Sequence, residues 1–407
     1  MTALPGKKKK ILIIVENLSV PFDKRVWNEA NTLRAAGYEI SVICPKSKLY
    51  NKGYENINGI HIYRHPLPVE GNNVFGYLAE YSAALFWELI LAFKIFLTRG
   101  FDAIHACNPP DTIFIVGLIF KCFGKKFVFD YHDISPELFA VKFGEKNILY
   151  KLIRFLEKST FMTADISIAT NESYKEIAIK RGGMRPDKVF VVRSGPDISK
   201  MNSVLPVKRL KEGKDYMVGY VGVIAKQEGV DYLLRAASYI RNDMKRNDIM
   251  FAIIGSGPEV ENLKKYSKEL GLANTVKFTG RIPDRELIEY LSTSDVCVNT
   301  DVANEMNDKS TMNKIMEYMA LEKPIVQFDL KEGRFSAQEA SLYARKNDEV
   351  DMARKIVELI ESPEKRKKMG EFGRRRVEKE LAWKYSKGVL LNAYEKLFNR
   401  ACQKFNR

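Results

Sequence analysis

The chain has 407 residues, 45% of them hydrophobic and 29% charged, which is too long for one ordinary core and excludes a disordered chain. Its formal net charge of +15 favours anionic partners: phosphorylated ligands, an anionic membrane face or nucleic acid. The five cysteines (Cys44, Cys107, Cys122, Cys297 and Cys402) are scattered without a CxxC pair, which speaks against a disulfide frame or a zinc site and fits a reducing compartment.

A basic run, Lys7 to Lys10, precedes a short apolar one. Glu16 and Asn17 break the apolar run after Val15, so it reads as a first buried strand and not as a signal peptide. Further strands are predicted at 39–43, 59–63, 102–106, 126–130, 165–169 and 188–192. Helical patterns lie between most of them, as at Lys24 to Ala36 and Ile148 to Met162. Glu80, Glu88 and Lys94 interrupt the longest apolar stretch, Val74 to Leu97, which argues against a spanning helix. Arg193 to Asp215 holds Gly195, Pro196, Pro206 and Gly213 with many lysines and reads as a linker. Strands resume at 216–222, 248–254, 275–279, 295–299 and 324–328, and from Glu349 to Arg407 the pattern is almost wholly helical and basic.

Strand–helix alternation in two halves predicts an α/β chain of two Rossmann-like domains, residues 1–197 and 214–383, each a parallel sheet covered on both faces. Ligands in such sheets sit at the carboxyl ends of the strands, so a site is expected in a cleft between the domains.

Several constellations at those strand ends carry chemistry. In FAIIGSGPE, Gly255 and Gly257 follow a buried strand, and Pro258 stands where a helix would begin. That arrangement suits an anion at a helix N-terminus, or simply a tight βα turn. In YVGVIAKQEG, Gly222 ends a strand and Lys226 occupies the loop, to meet a diphosphate or only solvent. In NDKSTMNKIMEYMA, Ser310 is a plausible N-cap for a helix over Thr311 to Ala320. The first turn, through Met312 and Asn313, offers N–H groups to a phosphate, with Lys309 and Lys314 adding positive charge. Glu317, about two turns in, either accepts both hydroxyls of a ribose or is a surface glutamate on an amphipathic helix.

The block from Lys309 to Phe328 resembles the glutamate-bearing helix of the retaining glycosyltransferases of family 4, which have the GT-B fold. GSGPE with TGRIP, YVGVIAKQEGVDYLL, PFDKRVWNEANTLRAAGYEISVICP, IHACNPPD and DYHDISPE resemble that family in the family's order, nearest its bacterial surface-polysaccharide branch. The resemblance implies donor contacts from Arg281 as well as Gly222, Lys226, Gly255, Gly257, Glu317 and the stretch 309–314. It implies that His132, after the strand ending near Asp130, touches the transferred sugar. A buried structural histidine is the competing reading, and His105, inside its strand, reads as structural. Two departures stand out: Lys309 replaces the first of the family's two glutamates, and Val223 and Glu228 replace its phosphate-loop arginine and lysine.

The loop Asn17 to Asp23 is expected to approach the acceptor, with Asp133 beside His132 and Arg25 either binding an anionic part of it or lying on a helix surface. No Asp-x-Asp tripeptide occurs, so no metal at the chemical centre and no cofactor are expected, protein charge holding the diphosphate instead. No nucleic-acid motif appears. Lys121, Lys125 and Lys126 beside Phe120 and Phe123 form either a contact with an anionic membrane or a solvated basic face. The expectation is a retaining, metal-independent transferase moving a sugar from a UDP-sugar to a saccharide or lipid-linked acceptor, cytoplasmic and peripheral on the inner membrane face. The helix over 384–407 is expected to cross back to the first domain, as the resemblance implies. A UDP-sugar epimerase, a glycogen-type synthase and a weakly active assembly partner remain as alternatives.

Overall fold

The computed structural model describes residues 8–66, 74–144 and 147–399. Lys7 of the basic run, Cys402 and the predicted helical residues 400–407 lie outside the described residues. The chain divides into two compact units, one of residues up to Arg193 together with those from Ser386 on, the other from Ser194 to Tyr385.

In the first unit the strands are β1 (Lys10–Ile14), β2 (Glu39–Pro45), β3 (Tyr54–Ile57), β4 (Ile60–His65), β5 (Ala103–Cys107), β6 (Lys126–Tyr131), β7 (Ile166–Ala169) and β8 (Val189–Val191). They form one sheet in the order β3-β4-β2-β1-β5-β6-β7-β8. Every pair is parallel except β3 with β4. Helices α1 (Lys24–Ala35), α2 (Val74–Thr98), α3 (Phe114–Lys121), α4 (Ser135–Phe143), α5 (Ile148–Thr163) and α6 (Glu172–Lys180) belong to this unit. Central strands are apolar almost without interruption because both faces are covered; β5 is buried at every position. Chain order reverses between β1 and β5, and that switch point is where an open α/β sheet leaves a crevice.

The second unit repeats the plan with β9 (Tyr216–Val221), β10 (Ile249–Ile254), β11 (Val276–Gly280), β12 (Val296–Asn299), β13 (Ile325–Phe328) and β14 (Ser341–Ala344). Its all-parallel sheet runs β11-β10-β9-β12-β13-β14 and switches between β9 and β12. The helices are α7 (Val230–Asn242), α8 (Val260–Glu269), α9 (Asp284–Thr293), α10 (Glu305–Lys309), α11 (Asn313–Ala320), α12 (Lys331–Ala337), α13 (Glu349–Ile360) and α14 (Pro363–Arg376). A last helix, α15 (Trp383–Asn399), starts in this unit and from Ser386 belongs to the first, where Tyr394 Oη lies 2.7 Å from His105 Nδ1.

The two-Rossmann α/β architecture expected from the sequence is the one observed. Three local expectations change. The stretch read as a linker is mostly exposed but anchored at points: Ile198, Met201, Val207 and Leu210 pack on the core that includes α11, and Val204 and Val207 donate their N–H groups to Ser292 and Thr293. The acids that interrupt α2 lie on its inner side, with Glu80 and Glu88 both buried. On the outer side of Ala79–Thr98 only Lys94 remains as an exposed charge; this span is long and apolar enough to cross a membrane, and only 22% of it is buried. The proposed membrane wedge also fails in part. Phe120 is fully buried against Phe93, Phe96 and Phe101, while Lys121 donates to Thr163 O and lies 3.5 Å from Asp165. Only Phe123 of the pair is exposed.

Candidate active site

At the switch point of the second sheet, three loops converge. Gly222 N donates to Ile254 O and Ile224 N to Ser256 O, so the loops after β9 and β10 are bonded to each other. A side chain at Gly255, whose φ is 145°, would put its Cβ 1.8 Å from Gly222 O, and one at Gly257 would meet Ile224 O at 2.3 Å. Those glycines are required by loop-on-loop packing, a different reason from the ligand approach expected. The helix after them begins at Val260, not at Pro258, with Glu259 as its cap residue.

The strongest sequence block is also rearranged. Asn304 caps a short helix, α10, and Ser310 ends it, its hydroxyl donating to Met306 O. The glutamate helix α11 starts only at Asn313, after Met312, so Ser310 is no N-cap and Thr311 precedes the helix. Glu317 is half-buried and one turn into α11.

Lys314 is the largest surprise. Its ammonium is buried, 2.7 Å from Glu228 Oε2 and 3.1 Å from Asp301 Oδ1, and 4.9 Å from the centre of the Tyr220 ring. Burial opposes this charge, but Asp301, Tyr220 and Glu228 outweigh it and hold the ammonium protonated well above the ordinary lysine range. Burial likewise works against the Glu228 carboxylate; Lys314 overcomes that and lowers its pKa. Burial pushes Asp301 up to about 7 against the pull of Lys314. Two acids therefore neutralise the cation expected to meet a phosphate. Glu228, the residue standing where the resembling family has a lysine, is one of them. Lys309 likewise turns to Glu305, 2.5 Å away. Lys226 is exposed on the turn Lys226–Glu228 and forms no ion pair among the described residues, and Arg281 is exposed just past β11.

In the first unit a second charged cluster sits at the ends of β5 and β6. Arg25 does not lie on a helix surface, nor is it open to an acceptor. Its guanidinium is 2.7 Å from Asp130 Oδ1 and 3.2 Å from Glu29 Oε1, and donates to Val192 O. His132 Nε2 lies 2.5 Å from Asp130 Oδ2 and 2.9 Å from Arg25 Nε. One nitrogen cannot donate to the first and accept from the second. Burial disfavours its charge, yet Asp130 raises its pKa overall, which places the proton on Nε2 facing the carboxylate. Nδ1 is then the ring atom left for a ligand. Asp130 itself is held well below the usual carboxylate range: burial opposes the charge, and Arg25 and His132 overcome it.

Asn108 fixes the His132 loop, its Oδ1 accepting from the N–H groups of His132 and Asp133. Asp133 is half-buried, and burial raises its pKa. Asp23 caps α1 by accepting from Val26 N, so its carboxylate has a structural task, and Asn17 is exposed. Metal-ligand geometry does occur here: Glu29, Asp130 and His132 form one such group, and His105, Cys107 and Asp130 another, with ligand atoms within 4.8 Å. Arg25 already supplies positive charge at Asp130, the member common to both.

His105 is fully buried, 3.2 Å from Asp130 and 3.3 Å from Glu29. Burial works against its protonation, but these two carboxylates raise its pKa to about 9. An unfolded histidine titrates near 6.5, so this contribution to stability is complete below about pH 6.5 and fades as pH rises through 9. The melting temperature of the first unit is expected to fall across that window, and to fall less in His105→Gln. Equal slopes in the two proteins would contradict the assignment.

Two Rossmann-like units, each with polar groups gathered at strand ends, have the architecture of the GT-B glycosyltransferases. Residues 203–376 match the family model "Glycosyl transferases group 1", and residues 23–200 match "Glycosyltransferase Family 4". The chain is thus a family 4-type glycosyltransferase. It is 23% identical over 380 residues to an uncharacterised glycosyltransferase of Methanocaldococcus jannaschii, covering 89% of this chain and 90% of that one. It is 24% identical over 254 residues to the chitobiosyldiphosphodolichol beta-mannosyltransferase of Candida albicans, covering 57% and 54%. The crystal structure of Anabaena HepE in complex with UDP and glucose superimposes with a TM-score of 0.72 at 16% identity, covering 95% of this chain and 100% of that one.

Proposed function

We propose that this enzyme transfers a sugar from a UDP-sugar to a lipid-linked saccharide in surface-polysaccharide synthesis. The anomeric configuration is retained, no metal sits at the reacting centre, and the enzyme works at the inner face of the plasma membrane. The observation that carries the donor half of this reading is Glu317, half-buried on α11 beside the second sheet's switch point. The UDP and glucose named for HepE and the diphosphodolichol in the Candida protein's name support the donor and acceptor classes.

In this reading Glu317 accepts both ribose hydroxyls. Lys226 and Arg281 meet the diphosphate, with Gly222 at the end of β9 beside them. His132 hydrogen-bonds the transferred sugar through Nδ1, and Asn17 and Asp133 face the acceptor. The leaving phosphate takes the acceptor's proton on the same face of the sugar, so no protein nucleophile is required. The protein contributes orientation and stabilisation of the departing charge.

Glu317→Gln is expected to weaken UDP binding by about 1.5–3 kcal/mol, the worth of a charged hydrogen bond, with the melting curve unchanged. Unaltered UDP affinity by calorimetry would remove Glu317 from the site. One observation favours a second reading, a weakly active assembly partner: Lys314, the cation nearest the glutamate on α11, is already neutralised by Glu228 and Asp301. A parent protein that binds no UDP would favour it.

A further inference from the structure

An apolar cavity of the first unit is not used by the reaction proposed above. It encloses about 220 Å³ between α2, α4 and α5, and its lining is almost entirely apolar, with Leu85, Leu138, Phe139, Leu152 and Leu156 among the walls. A cavity of this character suits a hydrocarbon chain.

One polar part of its lining is unusual. Asp111 and Thr112 belong to it, and Asp111 Oδ2 and Thr112 Oγ1 are buried without a hydrogen-bond partner among the described residues. Buried orphans of this kind are costly unless a ligand completes them. Burial pushes the Asp111 carboxyl up to about 8, so near neutral pH it holds a proton to donate. This part also adjoins the reaction centre. Asn108 Nδ2 donates to Asp111 Oδ1 and to Asp133 O, and the same Asn108 holds the His132 loop.

Two of the cavity's helices also carry apolar side chains that are largely exposed among the described residues. On α2, Phe86, Ile90, Phe93 and Leu97 are exposed at helical spacing. On α5, Ile148, Leu152, Phe155 and Met162 are exposed, interleaved with exposed Lys151, Arg154 and Lys158. Large apolar side chains flanked by cations are the composition of a helix lying in a lipid headgroup region.

We infer that this cavity binds the proximal hydrocarbon of a single-chain lipid phosphate, its polar end at Asp111 and Thr112 and its chain leaving between α2 and α5 toward the bilayer. The cations on the exposed face of α5 face the anionic headgroups of the bilayer around it. The identity of the lipid as acceptor rests on the proposed transfer; the cavity as a lipid site does not.

The test is calorimetric, on the full chain, with farnesyl monophosphate, dodecyl phosphate and inorganic phosphate below any micelle concentration. Saturable binding of one farnesyl or dodecyl phosphate per chain is expected, without competition from millimolar inorganic phosphate. Ser82→Trp, at an exposed position on the cavity wall, should weaken it at least tenfold, and Ser82→Ala should leave it intact. Preference for farnesyl phosphate would identify an isoprenoid carrier; equal affinities would identify any single hydrocarbon chain. Absence of saturable binding, indifference to Ser82→Trp, or full competition by inorganic phosphate would overturn the inference. UDP titrated in parallel separates the two claims, since lipid binding without UDP binding would leave the cavity assigned and the proposed transfer refuted.

Discussion

Replacing Lys314 with methionine is expected to cost about 3–5 kcal/mol of stability in the second unit, because it leaves two acids facing each other in a buried site. Glu228 and Asp301 lie 2.7 and 3.1 Å from the ammonium, and Lys314 has only 9% of its side chain exposed. Asp301, already raised to about 7, can absorb part of the loss by taking up a proton, but Glu228 loses the cation that offsets the cost of burying its carboxylate. Adding Glu228→Gln and Asp301→Asn should recover much of the deficit, since buried charges of one sign are then gone. Denaturant unfolding of the three proteins measures this. A loss below about 1 kcal/mol, the worth of an exposed pair, would show that the triad is loosely held and that Lys314 is open to a phosphate after all.

His132→Ala is expected to lower turnover by about 100-fold or more while UDP affinity stays at the parent value. The selectivity follows from position. His132 belongs to the first unit, whereas the nucleotide contacts proposed for the enzyme are in the second. Its Nε2 is committed to Asp130, so the substitution also removes one partner from a buried carboxylate that keeps Arg25 and His105. Melting curves therefore belong beside the kinetics. His132→Gln, which can still donate to Asp130, should fold like the parent and remain slow. Near-normal turnover in either variant would make His132 a purely structural residue.

The architecture was legible because parallel strands covered on both faces are written as apolar runs. The runs at 249–254 and 103–107 are buried throughout and need no context to be read. The two strands not foreseen, β3 and β14, are short and sit at sheet edges, and YENI carries polar residues that blur any period. The start of the glutamate helix was misplaced because Ser310 has the chemistry of a cap. Asn304, six residues earlier, caps a separate short helix instead.

Charge pairing was the least legible layer. Arg25 and Glu29 are four apart on one helix, a relation open to sequence reasoning, but Asp130 is brought to them only by the sheet. Lys314 at the start of α11 meets Glu228 and Asp301 from two separate loops at the β9–β12 switch, so one sequence shows three charges and not their cancellation. The exposed face of α2 was hidden for a related reason. Glu80 and Glu88 looked like interruptions of an apolar run, and helical periodicity puts them on the buried side. Phe120 and Phe123 divide in the same way, since Val116, Gly117 and Phe120 form the inner stripe of α3.

The most direct test of the transferase account is to incubate the enzyme with a panel of radiolabelled UDP-sugars and a lipid-linked saccharide in excess EDTA, and to follow label into the lipid fraction. One UDP-sugar is expected to label the lipid, with UDP released in equal amount, in an α linkage if the donor is α-linked, and at the same rate when magnesium is added. Label that stays on the nucleotide as a different sugar, or transfer that requires the added metal, would contradict it.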